Sequence, residues 1–440
     1  MKIDEYSKLL EWLESRAKTL GADAIKAVIG SNRQFNMSQR DGKIETLKES
    51  VQASLYIELF VNGKYSSHST NDLRKSVLEG FLANTVEMTR YLNKDEFRSL
   101  PDPKLYAGRE NLELELADKS IDKITMEQKR AWIDEVEKTA KSLDKRIISV
   151  SADYWDVNGL SVRRHSNGFF GVTEGTNIGL GASVSLLDEN GKKPEGWRYI
   201  GMRHQSDLWK PADIAADAVK RAQQKVGAKK IPSGRMTMLL QNDSTGRLLY
   251  PIVSALSGRN LQQDSSFLKG KLGEKIAPEI LTIIDDPLIV RGPSSRLFDG
   301  EGIAAKKRLV IENGVLKTYF IDTYYAKKLG VEPTTGGTSN TIFQPGVKDQ
   351  ATMIKDIEKG ILVTSFIGGN SNGATGDYSY GVMGLYIENG EIIHPVAEMN
   401  VSGNYLELLM KLTEMGSDLN MYSGLRTPSM RFDDIDFAGL

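Results

Sequence analysis

The sequence predicts an α+β protein in three parts. They are an N-terminal helix/sheet domain over 1–105, a β-rich middle domain with flanking helices over 106–228, and a C-terminal domain over 229–440. The last is expected as a largely antiparallel sheet or partly closed barrel with helices. Three observations carry this. At 440 residues the chain exceeds one ordinary core, so two or three domains are expected. Asn-Gly pairs recur at 62–63, 158–159, 167–168, 190–191, 313–314 and 389–390, each a favoured two-residue hairpin turn. Such a density of hairpins implies antiparallel pairing.

In chain order, residues 5–20 read as a helix with Leu9, Leu10, Leu13, Ala17 and Leu20 on one side and Gly21 as its stop. Strands are expected at 24–29 and 44–50, and 51–61 alternates into Asn62-Gly63. Ser69 to Asp72 supplies caps for a second helix, apolar at Leu73, Val77, Leu78, Phe81, Leu82 and Val86. Leu100-Pro-Asp-Pro103 is a break, and the charged stretch to about Asp122 reads as a linker or arm. Thr125 with Gln128 is a capping box for a helix to about Leu143. Strands then dominate, at 147–157, 161–164, 168–176, 179–187 and 198–204. Lys210-Pro211 opens a helix to Val226, with proline where its missing amide costs little.

The third region starts with Met236–Leu240, a short apolar run that reads as a buried strand. Asn242, Asp243 and Ser244 are helix-start residues, and Leu248, Leu249, Ile252, Val253 and Leu256 recur on one face before Gly258, a candidate stop. Pro251 removes an amide, so this helix starts later than Asp243 or kinks. Further strands are expected at 280–284, 308–311, 315–321, 361–367, 380–388 and 391–401. Helices are expected at 322–329, after a Thr352 cap, and at 403–415; 421–435 returns as strand and loop.

Composition narrows the chemistry. With no cysteine, disulfides, thiolate metal sites and a cysteine nucleophile are excluded. A net charge of −1 argues against bulk electrostatic capture of nucleic acid or an anionic membrane. No basic-then-apolar leader opens the sequence and no run is long enough to cross a bilayer, so a cytoplasmic protein is expected.

The four histidines, His68, His165, His204 and His394, lie far apart in sequence, so no metal site is readable from their spacing. His165 and His204 share the middle region, and their meeting is the version to check. Asp285-Asp286 and the Asp433, Asp434, Asp436 cluster read as solvated loops. Arg163-Arg164 and Lys306-Lys-Arg308 read as solvated edges. Gly368 to Gly376 is glycine-rich after a strand, but lacks the lysine and following helix of a phosphate loop. It reads as a mobile loop, or as one whose glycines admit a peptide backbone with Asp377 and Tyr378 at the rim.

A string of separated pieces, in order, carries a resemblance. These are Gly234–Arg259, Ser265-Ser-Phe-Leu268, Leu272-Gly273, Arg291-Gly292, Phe298-Asp-Gly-Glu-Gly302, Ala326-Lys-Lys-Leu-Gly330 and Thr375-Gly-Asp-Tyr378. Asp41–Glu45 and Ser69-Thr70 add to them. The chain resembles the TldD/PmbA family, also called modulators of DNA gyrase, from about Gly21 to its end. The catalytic branch of that family carries Leu-Leu-His-Glu-x-x-x-His, whose histidines bind zinc and whose glutamate is the general base. Aligned on Leu248-Leu249, Tyr250, Pro251 and Ala255 stand in those three places.

The resemblance therefore implies the PmbA (TldE) branch: no catalytic residue, no metal ligand and no cofactor in this chain, with zinc in a TldD-type partner. It implies a non-catalytic subunit of a TldD/TldE-type zinc metallopeptidase complex, a heterodimer or self-paired, that acts on peptides and unfolded or small proteins. Tyr250, Thr375, Gly376, Asp377 and Tyr378 are the expected peptide-binding residues. Two alternatives stand beside it: a metallopeptidase with an unrecognised site that includes His165 or His204, and a stand-alone homodimeric peptide-binding protein.

Overall fold

Long alternating strands build the first half of the molecule. The computed structural model describes residues 2–440. It opens with α1 (Lys2–Thr19), β1 (Ala24–Arg40), β2 (Lys43–Val61), β3 (Lys64–Thr70) and α2 (Lys75–Arg90). An irregular arm leads to α3 (Met126–Leu143), β4 (Ile147–His165), β5 (Phe170–Leu186), β6 (Glu195–Met202) and α4 (Pro211–Gln223). The strands form one antiparallel sheet, in the order β3-β2-β1-β4-β5-β6. Because β1 pairs with β4 from Lys26–His165 to Arg40–Ser151, the sheet is continuous across residue 105.

Successive side chains on a strand point to opposite faces, and β1 shows it. Ile25, Ala27 and Ile29, then Phe35, Met37 and Gln39, are buried on one face. α1 and α2 cover the first set through Leu10, Leu13, Leu78 and Leu82. α3 and α4 cover the second through Ile133, Val136, Ile214 and Ala218. Between these cores Arg33 of β1, Lys129 of α3 and Asp156 of β4 meet. The fully buried Asp156 carboxylate accepts from both cations at 2.7 Å and from the Tyr154 hydroxyl at 2.8 Å.

The second half contains β7 (Gly234–Leu240), α5 (Gly246–Ala255), α6 (Gly258–Gln262), β8 (Ile283–Asp286), β9 (Arg308–Glu312), β10 (Val315–Leu316) and α7 (Thr323–Leu329). After them come β11 (Asn340–Phe343), α8 (Gln350–Lys355), β12 (Lys359–Ser371), β13 (Asp377–Glu388) and β14 (Glu391–Asn404). The last elements are α9 (Tyr405–Met410), β15 (Leu412–Met415), β16 (Leu425–Arg426) and β17 (Met430–Ala438).

Strands in the order β14-β13-β12-β7-β17 close into a five-stranded barrel, because β14 also pairs with β17 at Asn400–Ala438 and Val401–Phe437. β7 and β12 run parallel, and the other barrel neighbours are antiparallel. Met236, Met238 and Leu240 join the main core with Val382, Val401 and Phe432, while Leu239 faces Met353 and Ile357 across the barrel wall. A smaller sheet, β10-β9-β8-β11-β16, lies beside it. The α+β expectation therefore holds, and the barrel is closed rather than partly so.

Several local expectations are corrected, each for a physical reason. Asn158-Gly159 is no turn: β4 runs straight through it, paired on both sides with β1 and β5. The strands expected at 44–50 and 51–61 are likewise one, β2. Ser69 and Thr70 belong to β3, and α2 starts at Lys75 without a side-chain cap. Asp349, not Thr352, caps α8 by accepting from the Thr352 amide. Only residues 405–410 of the expected helix 403–415 are helical, since Leu412–Met415 pairs with β17. Gly258 opens α6 instead of only ending α5. α5 does start later than Asp243, at Gly246, with Pro251 inside it.

Candidate functional site

The site follows from where one strand stops. β7 ends at Leu240, opposite Val363 of β12. β12 continues to Ser371, so beyond Val363 it is paired with β13 on one side only. α5 lies along that open edge. The Ser244 hydroxyl donates to the Thr364 carbonyl, and Arg247 Nη2 donates to the carbonyls of Gly368 at 3.3 Å and Gly369 at 2.9 Å.

The register shifts between Ile367 and Asn370, where Gly368 (φ 60°) and Gly369 (φ 79°) form a bulge. A Cβ on Gly369 would lie 2.1 Å from the Ser379 carbonyl oxygen, so close backbone approach requires glycine there. Of the stretch expected as a mobile loop, Gly368–Ser371 thus belongs to β12, and the turn is confined to 372–376. Between α5 and the strand edge lies an open cleft of about 570 Å³, lined among others by Arg247, Tyr250, Ser254, Asn260, Asn370 and Tyr380.

Tyr250, Pro251 and Ala255 all line this cleft; Tyr250 is 55% exposed and Ala255 is buried. The other expected binding residues do not join them. Asp377 accepts from the Thr375 hydroxyl at 2.6 Å and from Asn404 Nδ2 at 3.0 Å, and those bonds hold its carboxyl below the usual range. Gly376 (φ 83°) packs over the Phe267 ring. Tyr378 is not at a rim. It is buried against Tyr405, ring centroids 4.9 Å apart, and burial pushes its phenol up.

Arg247, Ser254 and Asn370 went unnoticed in the sequence. Arg247, Tyr250, Pro251 and Ser254 share the i, i+3, i+4, i+7 spacing of one helix face, which is the signal that could have found the first two.

His165 and His204 have separate partners. His165 is buried on Phe169, ring centroids 4.8 Å apart, with Nδ1 3.2 Å from the Tyr106 hydroxyl. Burial, then Lys26 and Arg163, push its imidazole down to about 3. His204 Nε2 donates to the Glu115 carbonyl at 2.8 Å.

Of the aspartates expected as solvated loops, Asp434 and Asp436 are exposed, though on β17, while two others are held by the fold. Asp285 is buried on β8, accepting from the Ser339 amide, and Asp433 accepts from Thr237, Thr413 and Arg431. Nor are the basic runs plain solvated edges. Arg163 reaches the Asp299 carbonyl at 2.6 Å, and Arg308, on β9, donates to the Thr334 carbonyl.

The donor set at α5 does not fit a zinc ion. A phenol, a proline ring and a methyl group offer no imidazole or carboxylate ligand. The lining of the cleft contains no histidine, aspartate or glutamate. Among the described residues, no group of three His, Asp or Glu side chains is gathered in a way that could hold a metal.

Known proteins share this architecture. Residues 119–226 match the model of the PmbA/TldA metallopeptidase central domain, and 233–439 that of the C-terminal domain. Metalloprotease PmbA of Escherichia coli O157:H7 is 27% identical over 446 aligned residues, covering 100% of this chain and 98% of the relative. A crystal structure described as a modulator of DNA gyrase, from Bacteroides thetaiotaomicron, superposes with a TM-score of 0.97 at 41% identity, covering 100% of both chains. TldE from Thermococcus kodakarensis shares the fold, with a TM-score of 0.83 at 22% identity over 98% of this chain and all of that one. With family models matching in sequence order and a full-length structural relative at that identity, this chain belongs to the PmbA/TldA metallopeptidase family.

Proposed function

We propose that this chain is the non-catalytic subunit of a TldD/TldE-type zinc metallopeptidase complex in the cytoplasm, binding peptides and unfolded or small proteins for a TldD-type partner. The observation that carries this is α5: it presents Tyr250, Pro251 and Ala255 where the catalytic branch has zinc ligands and a base. The same helix flanks the open edge of β12. Strand addition to such an edge needs backbone groups and shallow pockets rather than catalytic side chains.

The test is cleavage of an unstructured peptide by the chain alone, by a TldD-type subunit alone and by both together. The chain alone should leave the peptide intact with or without added zinc, while the pair cleaves it. Robust metal-dependent cleavage by the lone chain would overturn the proposal.

A second open edge supports pairing with a partner subunit. β3 covers β2 only from Leu55 onward, so among the described residues no strand pairs with the outer side of 43–54. Along that stretch Ile44, Leu47 and Val51 are 38%, 60% and 67% exposed. Exposed apolar edge strands are templates for association unless charged or covered. A Leu47→Lys, Val51→Lys chain should stay folded by circular dichroism. It should no longer co-elute with the partner subunit when masses are measured by light scattering.

A further inference from the structure

The charge pattern of the cleft is one-sided. Of the side chains that line it, Arg247 alone is charged; the rest are Tyr, Ser, Asn, Pro, Ala and Gly. The exposed arginines of this chain are commonly matched to a carboxylate: Arg40 to Glu45, Arg90 to Glu87, Arg146 to Asp144 and Arg235 to Asp436. Arg247 is not. Its Nη2 donates only to the two backbone carbonyls at the bulge, and its guanidinium carbon stands 5.5 Å from the Tyr380 ring centre.

Among the described residues, Arg247 Nε and Nη1 have no protein acceptor. A guanidinium has five N–H donors in a planar fork, so this cleft-lining side chain keeps donors without a partner. The fork matches a carboxylate in two parallel hydrogen bonds. The geometry also fixes where the charge stands. Arg247 closes off the β12 edge at Gly368–Gly369, so a chain lying along that edge meets the guanidinium as it reaches the bulge.

We infer that the cleft selects extended peptides that place a carboxylate against Arg247, either a C-terminal carboxylate or an acidic side chain. This rests on the peptide-binding reading above and adds a specificity-determining residue to it. Arg247 is a binding residue here, held by two carbonyls and a ring rather than by an acid. A peptide carboxylate therefore adds a charge-assisted pair without breaking an existing one.

The experiment is fluorescence anisotropy with the full chain and three labelled unstructured peptides. The first has neutral side chains and a free C-terminal carboxylate. The second is its C-terminal amide, and the third is that amide with one internal Asp. The first or third should bind about fivefold more tightly than the second, as expected for a partly exposed charged pair. Which of the two does so identifies the source of the carboxylate.

The preference should vanish in Arg247→Gln, be partly kept in Arg247→Lys, and shrink as salt is raised. Arg247 is exposed, so the variants should keep the wild-type melting temperature. Equal binding of all three peptides, or an unchanged preference in Arg247→Gln, overturns the inference while peptide binding stands. Binding of none of them overturns both.

Discussion

An Asp156→Ala chain is expected to lose about 3–5 kcal/mol of folding stability. Asp156 is fully buried and takes Lys129 Nζ, Arg33 Nη1 and the Tyr154 hydroxyl. The side chain of Lys129 is 4% exposed, so it cannot turn to water once the carboxylate is gone. Its ammonium lies 3.9 Å from the Phe35 ring centre, but a cation–π contact of about 2 kcal/mol does not offset the several kcal/mol cost of an unpaired buried charge.

The loss should appear as a lower urea midpoint with an unchanged slope. A double variant, Asp156→Ala with Lys129→Met, should recover part of it. Replacing both members of a buried pair by apolar groups is often close to neutral. No recovery in the double variant would mean that cavity formation, and not the stranded ammonium, sets the cost. The consequence is architectural: this cluster ties β1 and β4 to α3.

What could be read in advance followed from local chemistry. Asn62-Gly63, Asn313-Gly314 and Asn389-Gly390 all adopt positive φ at both positions, as two-residue hairpins require. Asn158-Gly159 has the same letters, yet β1 and β5 hold it extended from both sides, and no local signal shows those neighbours. Asp243 looks like a helix cap, but Arg198 and Arg221 both claim its carboxylate at 2.5 Å, so α5 begins without it.

The cleft was half legible for the same reason. Helical phase puts Tyr250 and Pro251 on one face whatever the rest of the chain does. The open edge of β12 depends instead on where β7 stops, a long-range fact. Tyr378 was misplaced because strand alternation turns it into the barrel core, while the glycines beside it suggested a rim.

Stability should also depend on pH through two groups at the seam between the first sheet and the second half. Burial pushes the Glu301 carboxyl up to about 7, with Asp299 and Asp322 adding to it against hydrogen bonds from Thr323. The fold therefore prefers the protonated acid. Its contribution is complete below the unfolded value of 4.5 and is lost as pH rises through about 7.

His165 runs the other way. The fold prefers its neutral ring, so its contribution is complete above the unfolded value of 6.5 and is lost as pH falls toward about 3. At 1.36 kcal/mol per unit, the upper bounds are roughly 3 kcal/mol for Glu301 and roughly 5 kcal/mol for His165. The two slopes oppose each other where the windows overlap, between the two unfolded values, so stability should be flattest there. Glu301→Gln keeps an acceptor for Thr323 and removes the titration. It should raise the melting temperature at about pH 8 and change it little at about pH 4. Parallel melting profiles for the two chains across that range would show that the Glu301 carboxyl is hydrated in the fold and titrates as it does unfolded.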